Sequence, residues 1–259
     1  MYFDNHLHMD EPWLKGEKFR QRVIDDINEN QIVTFAQSCS IPSYKKTLKY
    51  AKQSKFIFPT FGILPRYAHT YADKLDEVAK LCEEALMLGE IGLNVSKTFR
   101  QSIPHQRPLF EIFLKAAEQN DLIMNLLFRG TEKEGVETLK TFKIKRAIFH
   151  SYSGSLKLMD EIIDLGYFFS IGPVNLSRLT KDKIKIIPDD LFLLETVVLP
   201  RGKVPSIILA ELLTTIAEIR NTSTEELAVS NQKNALKLIH NDPRLSEIKK
   251  LLSKGFQPF

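Results

Sequence analysis

Cysteine is nearly absent. Only Cys39 and Cys82 occur in 259 residues, which leaves no disulfide framework and no zinc-finger spacing. No apolar run approaches bilayer-spanning length, so no membrane segment is expected. Met1-Tyr2-Phe3-Asp4 has neither the basic n-region nor the apolar h-region of a secretory leader. These absences point to a soluble, reducing, cytoplasmic setting. No glycine-rich loop follows a candidate strand, so a nucleotide-binding doubly wound sheet lacks support. No internal repeat or low-complexity tract stands out. Neither sign of charge dominates: 36 Lys and Arg against 32 Asp and Glu leave +4. That balance tolerates an anionic substrate without marking a nucleic-acid binder. What the chain does have is apolar residues, 43% of the total beside 26% charged. This suffices for a substantial core in one large domain or two small ones.

Short apolar runs alternate with amphipathic stretches and no linker separates them. Strands are expected at Tyr2–His6, Gln31–Ala36, Phe56–Phe61, Met87–Gly92, Leu122–Phe128, Arg146–His150, Tyr167–Ile171 and Leu191–Glu195. Helices are expected at Lys18–Glu29, Ser43–Lys52, Ala72–Leu86, Pro108–Gln119, Glu132–Thr141 and Ser155–Leu165. A weaker one lies near Arg178–Ile186, and a C-terminal pair spans Ser206–Arg220 and Thr224–His240. Leu75, Val78, Ala79, Cys82 and Ala85 form one apolar stripe, as Leu109, Ile112, Phe113 and Ala116 do. Ser223 and Glu226 have capping-box spacing. The loop Asn94–Gln106 shows no period. Alternating strands and helices imply a parallel sheet. Eight such units make an α/β chain with a (β/α)₈ TIM barrel, one domain over residues 1–259. An open doubly wound sheet is the alternative.

Chemistry concentrates at expected strand ends. On a strand, residues i and i+2 share a face, so His6 and His8 in Phe3-Asp4-Asn5-His6-Leu7-His8 converge and make half a zinc-type site. Glu90 closes the fourth strand in Gly89-Glu90-Ile91-Gly92-Leu93, and His150 closes the sixth. In a barrel all four lie at the C-terminal face, where such enzymes keep their chemistry. One carboxylate with three imidazoles suits a divalent metal. The bland alternative is a barrel whose strand-end polar groups only hydrogen-bond one another.

With these motifs in this order, the chain resembles the TatD family of metal-dependent hydrolases in the amidohydrolase-like group. The resemblance runs nearly end to end. It includes Gly62-Ile63-Leu64-Pro65, Gln106–Leu122, Ser153-Gly154, Leu194-Glu195-Thr196 and Ser230-Asn231-Gln232-Lys233-Asn234-Ala235. It implies a barrel that holds two metals and cleaves phosphodiesters, typically in DNA. Two ions bridged by a carboxylate activate water and stabilise both attacking and leaving oxygens. By this resemblance Glu90 matches the bridging carboxylate, His6 and His8 match ligands of the first metal, and His150 matches a ligand of the second.

The departures are as informative. Leu127 stands where the family has a histidine, two residues before Arg129. Val197 stands where it has an aspartate after Glu-Thr, a first-metal ligand and base. Leu64 replaces a histidine and Asn94 an aspartate. Loss of carboxylate charge weakens metal binding and the ionisation of bound water. His6, His8 and Glu90 remain as a three-ligand set, whereas the second site retains only Glu90 and His150. The expectation is therefore one divalent ion rather than two (zinc, manganese or magnesium), or none. Glu195 is a candidate substitute base or ligand, and Asp10 or Glu11 could also reach in.

Arg129 is a candidate phosphate clamp, or else the partner of a strand-end carboxylate. Arg66 and Arg100 follow strand ends and ring the mouth as candidate substrate contacts, or are merely solvated. Trp13 either stacks on a base or packs the first loop. Cys39 reads as a small buried thiol. His69, His105 and His240 read as surface or capping groups, and Lys249, Lys250 and Lys254 as a solvated helix face. Three functions remain. The first is a TatD-like hydrolase of phosphodiesters with a reduced site, its partner nucleic acid or another phosphodiester. The second is a catalytically degenerate relative with a protein partner in a binding or assembly role. The third is a one-metal amide or lactone hydrolase.

Overall fold

The computed structural model describes residues 1–10, 14, 16–178, 181–200, 202–240 and 242–254. Its eight strands are β1 (Tyr2–Leu7), β2 (Ile32–Gln37), β3 (Ile57–Thr60), β4 (Leu88–Asn94), β5 (Met124–Arg129), β6 (Ala147–His150), β7 (Phe168–Ile171) and β8 (Phe192–Leu194). All eight expected strands are present, with ends displaced by one or two residues. They pair in parallel and in sequence order, β1 to β3 in one ladder and β4 to β8 in the other. Single bridges join the ladders at both seams, Phe61 with Leu88 and Leu7 with Val197. At the first seam the Phe61 N–H donates to Met87 O at 3.0 Å and the Gly89 N–H to Phe61 O at 2.8 Å. At the second, the His8 N–H donates to Val197 O at 3.0 Å and the Val197 N–H to His6 O at 2.6 Å. The architecture is a (β/α)₈ barrel.

Close approach at the first seam explains a glycine of the sequence motif. A Cβ on Gly62 would lie 2.2 Å from the Gly89 carbonyl carbon, so only glycine permits β3 to meet β4 there.

The helices are α1 (Glu17–Glu29), α2 (Ile41–Ala51), α3 (Leu75–Glu84), α4 (Ile103–Asn120), α5 (Glu132–Thr141), α6 (Leu156–Asp164), α7 (Pro173–Arg178), α8 (Lys181–Ile186), α9 (Pro205–Arg220), α10 (Thr224–Leu238) and α11 (Ser246–Leu252). Strands buried on both faces read as near-continuous apolar runs, and β1, β2 and β4 are buried at every residue. Phe3 meets Phe35 edge-on at 4.9 Å between β1 and β2. Phe149 lies among Phe128, Tyr152 and Phe169 on the other ladder.

Three helical expectations change. The stretch 94–106 is not periodless: a 3-10 turn covers Lys97–Phe99 and α4 begins at Ile103 rather than Pro108. Of two prolines, Pro104 takes the N-terminal turn, where its missing N–H costs nothing. The stretch expected as one helix over 72–86 is a shorter α3 preceded by a 3-10 helix, Pro65–Tyr71. The helix expected near 178–186 is described as α8 from Lys181, and α7 stands before it over Pro173–Arg178. Finally, the helix face read at Lys249 and Lys250 belongs to α11, which buries Ile248, Leu251 and Leu252 while those lysines face solvent. The capping box of α10 is present with Ser223 and Glu226. The start of α9 is capped from another helix: Asp26 of α1 accepts from the Ser206 N–H at 2.9 Å and from its hydroxyl at 2.5 Å. No helix among the described residues is long and apolar enough to cross a membrane.

Candidate metal centre at the barrel mouth

His6 and His8 lie at the end of β1, Glu90 on β4 and His150 at the end of β6. The structure brings all four together and buries them. His6 Nε2 lies 3.1 Å from His8 Nε2 and 3.5 Å from Glu90 Oε2, and His8 Nε2 lies 3.1 Å from the same oxygen. Three donor atoms thus form a near-equilateral triangle. Ligands at zinc–nitrogen distances in a tetrahedron are separated by about 3.3 Å, so these side chains fit one ion with an open position. Glu90 Oε1 turns the other way, 3.9 Å from His150 Nε2. His6, Glu90 and His150 each offer a ligand atom within 4.8 Å of the others.

Burial and charge set the protonation of the cluster. Burial, with the neighbouring His150 charge, lowers the His6 pKa to about 4 despite Glu90 beside it. His6 is therefore a neutral imidazole at pH 7, as a ligand must be. Burial pushes Glu90 up, but hydrogen bonds from His6 and His8 prevail and hold it well below the usual carboxylate range. Burial pulls His150 down; the charge and hydrogen bond of Glu195 outweigh it and raise its pKa.

Glu195 does not face the mouth. It is fully buried, and both its oxygens lie 2.8 Å from His150 Nδ1. The Ser170 hydroxyl donates to its Oε2, which also lies 4.0 Å from His6 Nδ1. A carboxylate behind an imidazole fixes the tautomer and turns the other ring nitrogen forward. The reading of Glu195 as a substitute base therefore meets a geometry suited to orienting His150. Asp4, a second buried carboxylate, holds the backbone that carries His6 rather than an imidazole ring. Its Oδ1 accepts from the N–H groups of His6 at 3.1 Å and Thr196 at 3.0 Å, and its Oδ2 from the Thr196 hydroxyl at 2.6 Å. Burial raises the Asp4 pKa to about 7, against those hydrogen bonds.

Sequence reasoning missed Ser170 and Asp4. Asp4 had a signal, since it shares the face of His6 two residues on. Ser170 had none, because its pairing with Glu195 depends on β7 lying beside β8.

The replaced positions are also near. Leu127 is half-buried on β5, paired with Gly92 of β4. Val197 is buried with φ of 62°, the left-handed region a β-branched residue rarely enters. Asn94 serves its own loop: its Oδ1 accepts from the Ser96 N–H at 3.0 Å. The Gln106 carboxamide spans its backbone at 2.8 and 2.9 Å. Leu64 is buried and its N–H donates to Cys39 O at 3.1 Å.

At the rim, Arg129 Nη1 donates to Phe128 O at 2.9 Å and to the Ser153 hydroxyl at 3.4 Å. Arg66 and Arg100 stand on the loops after β3 and β4, Arg66 half-buried and Arg100 exposed. Asp10 is buried, and its Oδ1 has no hydrogen-bond partner among the described residues. Glu11 and Trp13 lie outside the described residues. Cys39 is buried.

Comparison with known proteins gives a consistent picture. The family model described as TatD related DNase matches residues 3–240. An uncharacterized metal-dependent hydrolase of Buchnera aphidicola is 23% identical over 92% of this chain and 95% of its own. Human deoxyribonuclease TATDN3 is 24% identical over 91% of this chain and 93% of its own. Among solved structures, the TatD homologue YjjV of Escherichia coli superposes with a TM-score of 0.80 at 22% identity, covering 93% of this chain and 98% of that one.

Proposed function

The chain belongs to the TatD-related DNase family, and we propose on that premise that it is a metal-dependent hydrolase of phosphodiester bonds, with DNA as substrate. One barrel spanning residues 1–259 carries the activity, and one divalent ion serves it. The observation that supports this reading most is the His6–His8–Glu90 triangle, with edges of 3.1, 3.1 and 3.5 Å.

His6, His8 and Glu90 would hold the ion. When bound, it supplies a Lewis acid for the phosphoryl oxygen and lowers the pKa of water. Glu90 Oε1 and His150 Nε2, 3.9 Å apart, bracket a place for a water or a substrate oxygen. Glu195 keeps His150 in the tautomer that presents Nε2 to that place. Arg129, set beside Ser153, meets the phosphate charge, and Arg66 and Arg100 extend the cationic rim. A second ion would find only Glu90 and His150 here, since Leu127 and Val197 contribute no donor. With Val197 in place of an aspartate and Glu195 held behind His150, turnover falls about 10²–10⁴-fold below that of a full-site relative.

The test combines elemental analysis of protein purified without chelator with turnover on single-stranded DNA in added magnesium or manganese. About one equivalent of metal and slow cleavage support the reading. The apolar replacements at Leu127 and Val197 favour a second one, a degenerate relative that binds a protein partner. Absence of both metal and cleavage would overturn the first reading and support that alternative.

A further inference from the structure

The loop between β4 and α4 has a composition that metal chemistry does not require. From Ile91 to Phe110 there is no carboxylate, while Lys97-Thr98-Phe99-Arg100 sets an aromatic between two cations. Phe99 is half-buried, yet it lies outside the apolar core, which does take in its neighbour Tyr67. Instead the Arg66 guanidinium, from the loop after β3, lies 5.4 Å from the Phe99 ring centroid and 5.8 Å from that of Tyr67. Two adjacent loops on the Glu90 side of the mouth thus hold an aromatic face and a flat cation together.

The loop is also pinned. The Phe99 N–H donates to Ser96 O at 2.8 Å, and the Ser102 hydroxyl donates to Phe99 O at 2.8 Å. Gln106 in turn donates to the Ser102 hydroxyl at 3.0 Å and clasps the Asn94 backbone. A large apolar ring kept partly in water by such bracing buries less apolar area than it has to offer. It gains when a flat ligand covers it, and the flanking cations select one that carries negative charge.

We propose that Phe99 and Arg66 form a stacking subsite for an unpaired nucleobase, next to the phosphate that the mouth receives. The inference rests on the phosphodiester reading and deepens it: the substrate is recognised through a base as well as its phosphates. Aromatic side chains bind unpaired bases through their faces and tolerate any sequence, whereas paired bases offer no free face. The same chemistry is offered by a single strand or a free nucleotide.

The test reads binding apart from turnover. Protein as purified is titrated by fluorescence anisotropy into two labelled ten-residue strands with hydrolysis-resistant phosphorothioate linkages. One is oligodeoxyadenylate; the other carries an abasic tetrahydrofuran at every position. The wild type is expected to favour the base-bearing strand about tenfold, within the range of one stacked base. Phe99→Ala and Phe99→Leu should erase that preference and leave abasic affinity unchanged, whereas Phe99→Trp should keep it. Equal binding of both strands by the wild type overturns the proposal, as does an equal loss for both strands in Phe99→Leu. Duplex of the same sequence should bind like the abasic strand; parity with the single strand counts against the subsite. Deoxyadenosine monophosphate competing in wild type but not in Phe99→Ala supports the subsite with a nucleotide as ligand. Failure to compete, with the strand preference intact, supports it with a strand. A base preference without cleavage of ordinary DNA defeats only the hydrolase reading. Cleavage of ordinary DNA without a base preference defeats only the subsite.

Discussion

The two halves of the barrel mouth have diverged. On the β1/β4 side, His6, His8 and Glu90 present three donors within 3.5 Å of one another. On the β5/β8 side, Leu127 and Val197 occupy the corresponding strand ends, and His150 alone remains. Yet the support behind His150 persists, with Glu195 and Ser170 both in place. Leu127 and Val197 offer no ligand atoms, yet the groups behind His150 are present. Under the one-ion reading proposed above, the groups that would frame a second site still stand.

Glu90 belongs to both halves, so its removal has the largest expected effect. Glu90→Gln takes the charge from the triangle and leaves two imidazoles. Metal affinity should fall at least about 100-fold, more than an outer-shell loss, as read by competition with a chelating dye. Undiminished metal uptake would place the ion elsewhere and end the contrast.

Refilling the poorer half tests the comparison directly. In Val197→Asp with Leu127→His, metal per chain measured by elemental analysis should rise before turnover does. Val197→Asp alone carries a second expectation. A β-branched residue at φ 62° is strained, whereas aspartate enters that region several-fold more often. The substitution should recover part of the about 1–2 kcal/mol that this region costs, visible as a higher melting temperature without metal. A lower one would show that the Val197 side chain packs better than its backbone suffers.

Glu195→Gln probes the surviving frame. In the wild type it should leave metal stoichiometry unchanged, because the triangle does not depend on His150. In the double variant it should lower affinity for the added ion about 10–100-fold, the usual cost of losing an outer-shell partner. An equal effect in both backgrounds would mean that the halves are not separate.

The smallest effect serves as the control. Asp242, at the start of the 3-10 turn before α11, binds Arg146 at 2.7 Å and Arg244 at 2.6 Å. Burial pushes its carboxyl up, but the hydrogen bonds from Arg244 and Arg146 prevail and hold its pKa at about 2. A folded-state pKa below the unfolded value near 4 stabilises the fold above that pH. The contribution is lost as pH falls from about 4 to 2. Asp242→Asn should remove that part of the acid transition, measured by circular dichroism, and leave metal content unaltered. A change in metal content would show that the mouth is not insulated from the rest of the barrel.

Much of this was written in the chain. Eight apolar runs separated by amphipathic stretches dictate eight crossovers, since parallel neighbours cannot be joined by a tight turn. His6 and His8 share a face because strand periodicity is two. The replacements at Leu127 and Val197 are visible as identities in the sequence. Other features depend on which strands become neighbours. Ser170 reaches Glu195 only because β7 lies beside β8, and Asp26 caps α9 only because α1 packs against it. Closure of β8 onto β1 decided that the Val197 backbone pairs with those of His6 and His8. Glu195 is legible as a carboxylate near a strand end, but its direction is not. The packing of the barrel turned it behind His150, away from the mouth. Local periodicity fixes which face a residue takes; which groups that face meets is a matter of long-range packing.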